Sequence, residues 1–501
     1  MYYPSQEQFI RLAQKNNLIP VYKEIFADTE TPVSAYLKLK NDEYSYLLES
    51  IEGTEKIARF SFLGTSPLVI FKSKKNNVSV ASFGEEPIKK DFTVKQSPLA
   101  ELKKIIGRIK FAEVKGLPRF CGGFVGYLGY DMVRFFEPRL AKNKLKDDLK
   151  LADAYFILAE NLIIFDHVRH CLKIVVNTEI PPKADPPPAE RTKNQDLRKK
   201  YEEAVKKIEG IENKLKSPIV NTGRRAEKNV TKIKSNITKQ VFKKMVLKAK
   251  EYIKRGDVIQ VVLSQRFSCK IKKSAFDIYR NLRSINPSPY MYYLNFKDVS
   301  LAGSSPEMFV RVDSGTVEMR PIAGTRKRGR NSEEDLKFSR NLLSDTKEKA
   351  EHLMLVDLGR NDLGRVCKYG TVNINEFMAI EKYSHVMHIV SNVQGKLRKD
   401  KNIFDVVSAT FPAGTVTGAP KVRAMEIIDK LEKISRGPYA GCVGYFSFSG
   451  NLDTCITIRT VVIKDDSAYI QAGAGIVADS DPENEYFETL NKAKAQIEAL
   501  K

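Results

Sequence analysis

The chain has no CxxC pair and no Cys/His spacing of the kind that holds zinc. Its six cysteines, Cys121, Cys171, Cys269, Cys367, Cys442 and Cys455, lie far apart. That spread speaks equally against a disulfide framework and fits a reducing, cytoplasmic setting. Long apolar runs are missing too. The opening MYYPSQEQFIRLAQKNN has no apolar centre, and the stretch 151–168 is interrupted by Asp153, Glu160 and Asp166, so neither export nor a membrane span is expected. No fixed-period repeat is visible.

Positive charge, by contrast, is abundant: 84 Lys and Arg against 61 Asp and Glu give a net charge of +23. Composition alone leaves open a nucleic-acid partner, an anionic small substrate or simply lysine-rich solvated surfaces. No RRM, KH or zinc-finger pattern accompanies the charge, which removes the usual support for nucleic-acid binding.

At 501 residues, 42% of them apolar, the chain exceeds what one hydrophobic core usually serves. The composition changes at IPPKADPPPAERTKNQ, which predicts an N-terminal unit over 1–180, a basic Pro/Lys-rich connector over 181–235 and a second unit over 236–501. Within the connector, Leu197, Tyr201, Ala204, Ile208, Ile211 and Leu215 alternate in spacings of four and three, the period of an amphipathic helix laid against a domain. β-prone runs at Tyr44–Leu48, Ala58–Leu63, Leu68–Lys72 and Phe156–Ile164 make the first unit strand-rich. The second mixes helices (Lys239–Arg255, Ser332–Asp357, Asp481–Leu500) with strands (Val258–Phe267, Tyr290–Phe296, Gly441–Phe448, Ala468–Gln471).

Two glycine-rich runs invite nucleotide-binding readings that their chemistry does not support. In GGFVGYLGYD (122–131), Phe124, Val125, Tyr127 and Leu128 carry a strand through the glycines, where a dinucleotide fold needs a turn and then a helix. Close backbone packing in a sheet is the better reading. PAGTVTGAPK (412–421) lacks the Gly-Lys-Ser/Thr ending of a triphosphate loop, although its N–H groups and Thr415 could meet an anion.

Two acidic pairs, Glu348 with Glu351 and Glu485 with Glu488, each stand at i,i+3 in a predicted helix and share a face. Such pairs are ordinarily solvated, but two such faces meeting would make a site for a hard cation. Lys492, four residues after Glu488, reads as a routine ion-pair partner unless its stripe lines a cleft. Arg459 reads either as a surface arginine or as a bidentate grip on a carboxylate. His385 and His388 are equally open.

Taken together and in order, GDVIQVVLSQRF, AGSSPEMFVR, RPIAGTRKRG, EHLMLVDLGRNDLG, PAGTVTGAPKVRAMEII, GNLDTCITIRT and AGAGIVADSDPENEYFET resemble the chorismate-utilising enzymes over 256–489. Three positions sort among them. Relatives that hydrate chorismate carry a lysine base where this chain has Gln260, and a neutral amide cannot deprotonate water. Aminodeoxychorismate synthases typically carry lysine where this chain has Ala323. NPSPYMYY (286–293), with LLES (47–50), looks like the segments that form the tryptophan feedback pocket of anthranilate synthases.

The resemblance implies an α/β (α+β) sandwich of large, mainly antiparallel sheets flanked by helices. It implies conversion of chorismate and ammonia to anthranilate and pyruvate, the first committed step of tryptophan biosynthesis. Glu351 and Glu488 would hold Mg²⁺, with Glu348 and Glu485 nearby. Gly324, Thr325, Thr415, Tyr439, Arg459, Gly473, Ala474, Gly475 and Lys492 would line the chorismate site. Glu307 would be the general acid for the departing C4 hydroxyl, which requires a raised pKa, and His388 would serve the later loss of pyruvate. Ser50, Pro289, Tyr290 and Met291 would contact inhibitory tryptophan. No glutaminase nucleophile elbow surrounds any cysteine, so ammonia would come from a separate glutamine amidotransferase subunit, with a heterotetramer expected. Neither nucleic acid nor membrane is an expected partner.

Overall fold

A computed structural model describes residues 1–40, 43–51, 59–83, 87–141, 145–180, 190–219, 232–383 and 386–501. Its strands join into one hydrogen-bonded network in which every strand pairing among the described residues is antiparallel, with two isolated parallel bridges. The expected mixed architecture, antiparallel sheet flanked by helices, is what is found.

The two halves of the sequence share that network. Gly123–Leu128 pairs with Cys442–Ser447, and Tyr44–Glu49 pairs with Tyr290–Phe296, placing Leu47 opposite Tyr293. Close strand neighbours on both sides explain the glycines of 122–131: a Cβ on Gly123 would stand 2.2 Å from the Phe446 carbonyl oxygen, and one on Gly126 would stand 1.9 Å from the Tyr155 carbonyl oxygen of the Ala154–Asp166 strand. The apolar cores follow the same logic, because Phe71, Phe124 and Phe156 pack in one cluster with Phe309, Phe404 and Phe446.

The amphipathic helix forms over Glu190–Lys216. Its six expected apolar positions, Leu197 to Leu215, are all buried against the Cys171–Glu179 strand and the Gln6–Leu12 and Pro32–Leu39 helices. Polar ties complete the docking: Lys23 pairs with Glu212 at 2.6 Å, and Lys38 Nζ donates to the Leu215 carbonyl at 2.6 Å. Residues 181–189 and 220–231 of the predicted connector lie outside the described residues, as does Ala58.

Two expected elements differ. The runs predicted at Ala58–Leu63 and Leu68–Lys72 are one strand, Phe60–Lys74, whose pairing with Ala154–Asp166 shifts register between Pro67 and Val69. A bulge, not a chain break, interrupts the pattern. The helix predicted over Ser332–Asp357 is two helices, Ser332–Ser344 and Thr346–Gly364. Asp345 separates them: it closes the first and caps the second, its Oδ1 accepting from the N–H groups of Lys347 (3.0 Å) and Glu348 (3.1 Å). The short spacing between helices hides such a break from a periodicity count.

Candidate active site

The Gln260–Lys270 and Ser467–Ile476 strands pair antiparallel along their whole length, and the Ile322–Lys327 strand pairs with Val386–Lys396. Between these strands and the Thr346–Gly364 and Pro482–Leu500 helices lies a cavity of about 580 Å³. Its wall gathers residues spread over more than two hundred positions of sequence. Glu307, Gly324, Thr325, Glu348, Glu351, His388, Thr415, Tyr439, Arg459, Gly473, Gly475, Glu485, Glu488 and Lys492 all line it. Ala474 does not. Strand alternation turns it to the opposite face, where it is fully buried with Val261, Leu263 and Ile476.

Gly473 and Gly475 face the cavity because nothing larger fits. A Cβ at Gly473 would stand 2.7 Å from the Tyr439 hydroxyl, and one at Gly475 would stand 2.6 Å from Gln260 Nε2. Small residues here keep the strand's backbone open to a ligand.

Glu307 is only 7% exposed, and burial pushes its carboxyl up to about 8. The Thr415 hydroxyl, the Ile322 backbone N–H and the Lys492 charge counteract that shift without reversing it. Near pH 7 the group is therefore a protonated acid facing the cavity.

His388 has the complementary setting. Its Nδ1 lies 3.1 Å from the Gly324 carbonyl and 3.0 Å from the Thr325 hydroxyl. A carbonyl only accepts, so Nδ1 carries the proton and Nε2 keeps its lone pair while the ring is neutral. Burial lowers the His388 pKa, with the Gly324 carbonyl raising it and the Arg459 charge adding to the lowering. The neutral, basic form is favoured.

Arg459 sits in left-handed backbone at φ 51°, a strained conformation for a side chain of this size. Its Nη1 donates to the Lys492 carbonyl, and it forms no salt bridge among the described residues. Burial lowers its pKa against the pull of Tyr439 and Glu488. A half-buried guanidinium without a carboxylate partner among the described residues is matched by an anionic ligand.

The four helical carboxylates face the same space from two helices. Glu348 pairs with Arg326 at 3.0 Å, Glu351 accepts from Gln260 Nε2 at 2.7 Å, and Glu488 pairs with Lys492 at 2.5 Å. Glu485 keeps one buried oxygen, Oε2, with no hydrogen-bond partner among the described residues, and burial together with Glu488 raises its pKa. Among the described residues no three His, Cys, Asp or Glu side chains form a ready cage. Converging carboxylates with a spare oxygen but no full cage suit Mg²⁺, which keeps water and substrate oxygens among its ligands.

A second cavity, about 680 Å³, lies between the N-terminal strands and the second half of the chain. Ser50, Pro289, Tyr290 and Met291 line it together. Sequence reasoning missed its charged floor: Arg311 Nε and Nη2 reach Asp453 (3.0 Å) and the Tyr290 hydroxyl (3.1 Å), and Arg119 reaches Asp453 at 3.1 Å. Also missed was Gln471 in the first cavity, although it stands two and four residues before Gly473 and Gly475 and so on their face. His385 lies outside the described residues.

Residues 43–498 match the family model described as chorismate binding enzyme. The chain belongs to the chorismate binding enzyme family. Within that class it is similar to the anthranilate synthase component 1 proteins of Acetivibrio thermocellus (47% identical, covering 100% of this chain and 99% of the relative) and Aquifex aeolicus (48% identical, 99% and 97%). Among solved structures it is similar to anthranilate synthase component I from Streptococcus pneumoniae, with 35% identity, a TM-score of 0.73 and coverage of 94% of this chain and 98% of that one. Among the described residues, no helix is long and apolar enough to cross a membrane.

Proposed function

We propose that this chain is the large subunit of an anthranilate synthase, converting chorismate and ammonia to anthranilate and pyruvate at the head of tryptophan biosynthesis. The observation that carries the reading is Glu307, a buried carboxyl raised to about 8 in the same cavity as a neutral His388 and an Arg459 that forms no salt bridge among the described residues. An acid and a base tuned in opposite directions are what an amination followed by an elimination requires.

In this reading Arg459 and the N–H groups beside Gly473 and Gly475 bind a substrate carboxylate. Glu307 gives its proton to the departing C4 hydroxyl, which leaves as water while ammonia bonds at C2. His388, through Nε2, takes the proton whose loss accompanies departure of pyruvate and makes the ring aromatic. Glu351 and Glu488 hold Mg²⁺, with Glu348 and Glu485 beside them. The bound ion supplies positive charge for the ring carboxylate.

The second cavity is the proposed tryptophan site. Its mixture of Asp453 with Arg59, Arg119 and Arg169 around apolar walls suits an amino acid's two charges and its ring. Ammonia reaches the protein from a partner glutamine amidotransferase, since each of the six cysteines is buried and none sits in a nucleophile elbow.

The test is to mix the purified chain with chorismate, Mg²⁺ and ammonium at alkaline pH and to identify the products by fluorescence and mass spectrometry. Anthranilate and pyruvate are expected. Accumulated aminodeoxychorismate would instead assign the sister synthase, and absence of magnesium-dependent chorismate loss would remove the reading.

A further inference from the structure

Gln471 belongs to the Ser467–Ile476 strand and points to the same side as Gly473 and Gly475, into the catalytic cavity. It also lines a separate chamber of about 20 Å³, together with Tyr439, Arg436 and Thr457. That chamber has room for one molecule of the size of water. Gln471 and Tyr439 form the partition between the two spaces.

The orientation of the Gln471 amide follows from the groups behind it. Arg436, fully enclosed, donates through Nε to Glu432 Oε2 at 2.9 Å and through Nη2 to Glu432 Oε1 at 2.6 Å. Both Glu432 oxygens thus act as acceptors. The Ser264 hydroxyl donates to Glu432 Oε1 at 2.9 Å, a charge-assisted bond that uses its one proton. What Ser264 offers to Gln471 is then a lone pair, and Gln471 Nε2 donates to it at 2.8 Å. The other end of the amide, Oε1, is buried and has no hydrogen-bond partner among the described residues, on a side chain 7% exposed.

A buried carbonyl oxygen left unpaired costs free energy unless a ligand supplies a donor. The carboxylates of chorismate cannot, because they only accept, and its C4 hydroxyl is the group that Glu307 protonates and expels in the proposed reaction. Ammonia can: it presents three N–H donors, keeps a lone pair for attack and is small enough for a chamber of about 20 Å³. We infer that Gln471 Oε1 is the acceptor that receives ammonia at the partition and holds it by an N–H bond for attack on the ring. This inference rests on the proposed amination of chorismate. It assigns specificity for the nucleophile to a chain of groups running Arg436, Glu432, Ser264 and Gln471.

The experiment is steady-state kinetics of Gln471→Met with ammonium chloride as nitrogen donor, varying ammonia and chorismate separately at fixed pH. Loss of one hydrogen bond raises KM for ammonia by about five- to tenfold, while KM for chorismate stays within about twofold of wild type. Gln471→Asn, which keeps the amide but withdraws it by one methylene, shows the same selective rise and serves if the methionine variant does not fold. An unchanged KM for ammonia, or a rise confined to chorismate, overturns the inference. A lowered melting temperature with both KM values unchanged does so as well. Failure of the wild-type protein to aminate chorismate would instead strike the parent reading, so the two failures are distinct.

Discussion

Gln260 Nε2 donates to Glu351 Oε1 at 2.7 Å, joining the Gln260–Lys270 strand to the Thr346–Gly364 helix across the cavity floor. The residue that stands where hydrating relatives carry a base is therefore spent on orienting a carboxylate. An amide in that position is neutral at every working pH and has no proton-accepting nitrogen. In the proposed reaction, the absence of a base for water and the placement of the proposed metal ligand Glu351 thus meet in one contact.

Glu351→Gln removes the charge that the proposed Mg²⁺ site needs while preserving the side chain's shape. Turnover should fall by at least about a hundredfold, and the Mg²⁺ concentration for half-maximal rate should rise about tenfold or more. A magnesium titration of chorismate consumption checks both, and unchanged dependence on the ion would remove Glu351 from the site.

Glu307 predicts a pH dependence whose sign is definite. Its acid form is required, so the rate at constant free ammonia should fall as pH rises through about 8. Glu307→Gln should lose about 10²–10⁴ in kcat together with that limb of the profile. A raised carboxyl pKa also means that the unfolded chain binds fewer protons between the ordinary glutamate value and about 8, so wild-type stability declines across that window. The glutamine variant, free of this term, should gain stability relative to wild type of about 4 kcal/mol at pH 8 and none below the ordinary value. Paired denaturant titrations at pH 4 and pH 8 measure the difference.

His388→Asn keeps a group able to donate to the Gly324 carbonyl but lacks a basic Nε2. Chorismate should still be consumed, while pyruvate release slows by about a hundredfold and an aminated intermediate builds up. Time-resolved mass spectrometry reports the intermediate. Equal slowing of both steps would mean that the imidazole only orients the substrate.

Ser50→Phe fills the second cavity at a residue whose hydroxyl is buried and has no hydrogen-bond partner among the described residues. Inhibition by tryptophan should weaken by about tenfold or more with kcat within about twofold of wild type. Retained inhibition would place the effector elsewhere.

Much of this was legible in the chain. The antiparallel strands at 44–49 and 290–296, the docked helix beginning at Glu190 and the cavity-facing glutamates all follow from local periodicity or from ordered motifs. Other features were not, because they depend on what packs opposite. The Ser332–Asp357 pattern reads as one helix until the Asp345 carboxylate is seen capping the second of two. Ala474 reads as a site residue among its glycine neighbours until strand alternation turns it to the core.

By itself the sequence determined which side chains are available for acid, base, cation and anion roles, since residue type and period are local properties of the chain. Only the tertiary structure decided the state in which they work. The same glutamate is an ordinary carboxylate in water, but at position 307 the surrounding cavity wall withdraws solvent and raises it to about 8. Likewise the Gln471 acceptor has no partner among the described residues because Ser264 and the local Glu432–Arg436 pair, brought together from distant segments, direct its amide. Desolvation and hydrogen-bond direction belong to the packed surroundings, and no single segment carries them.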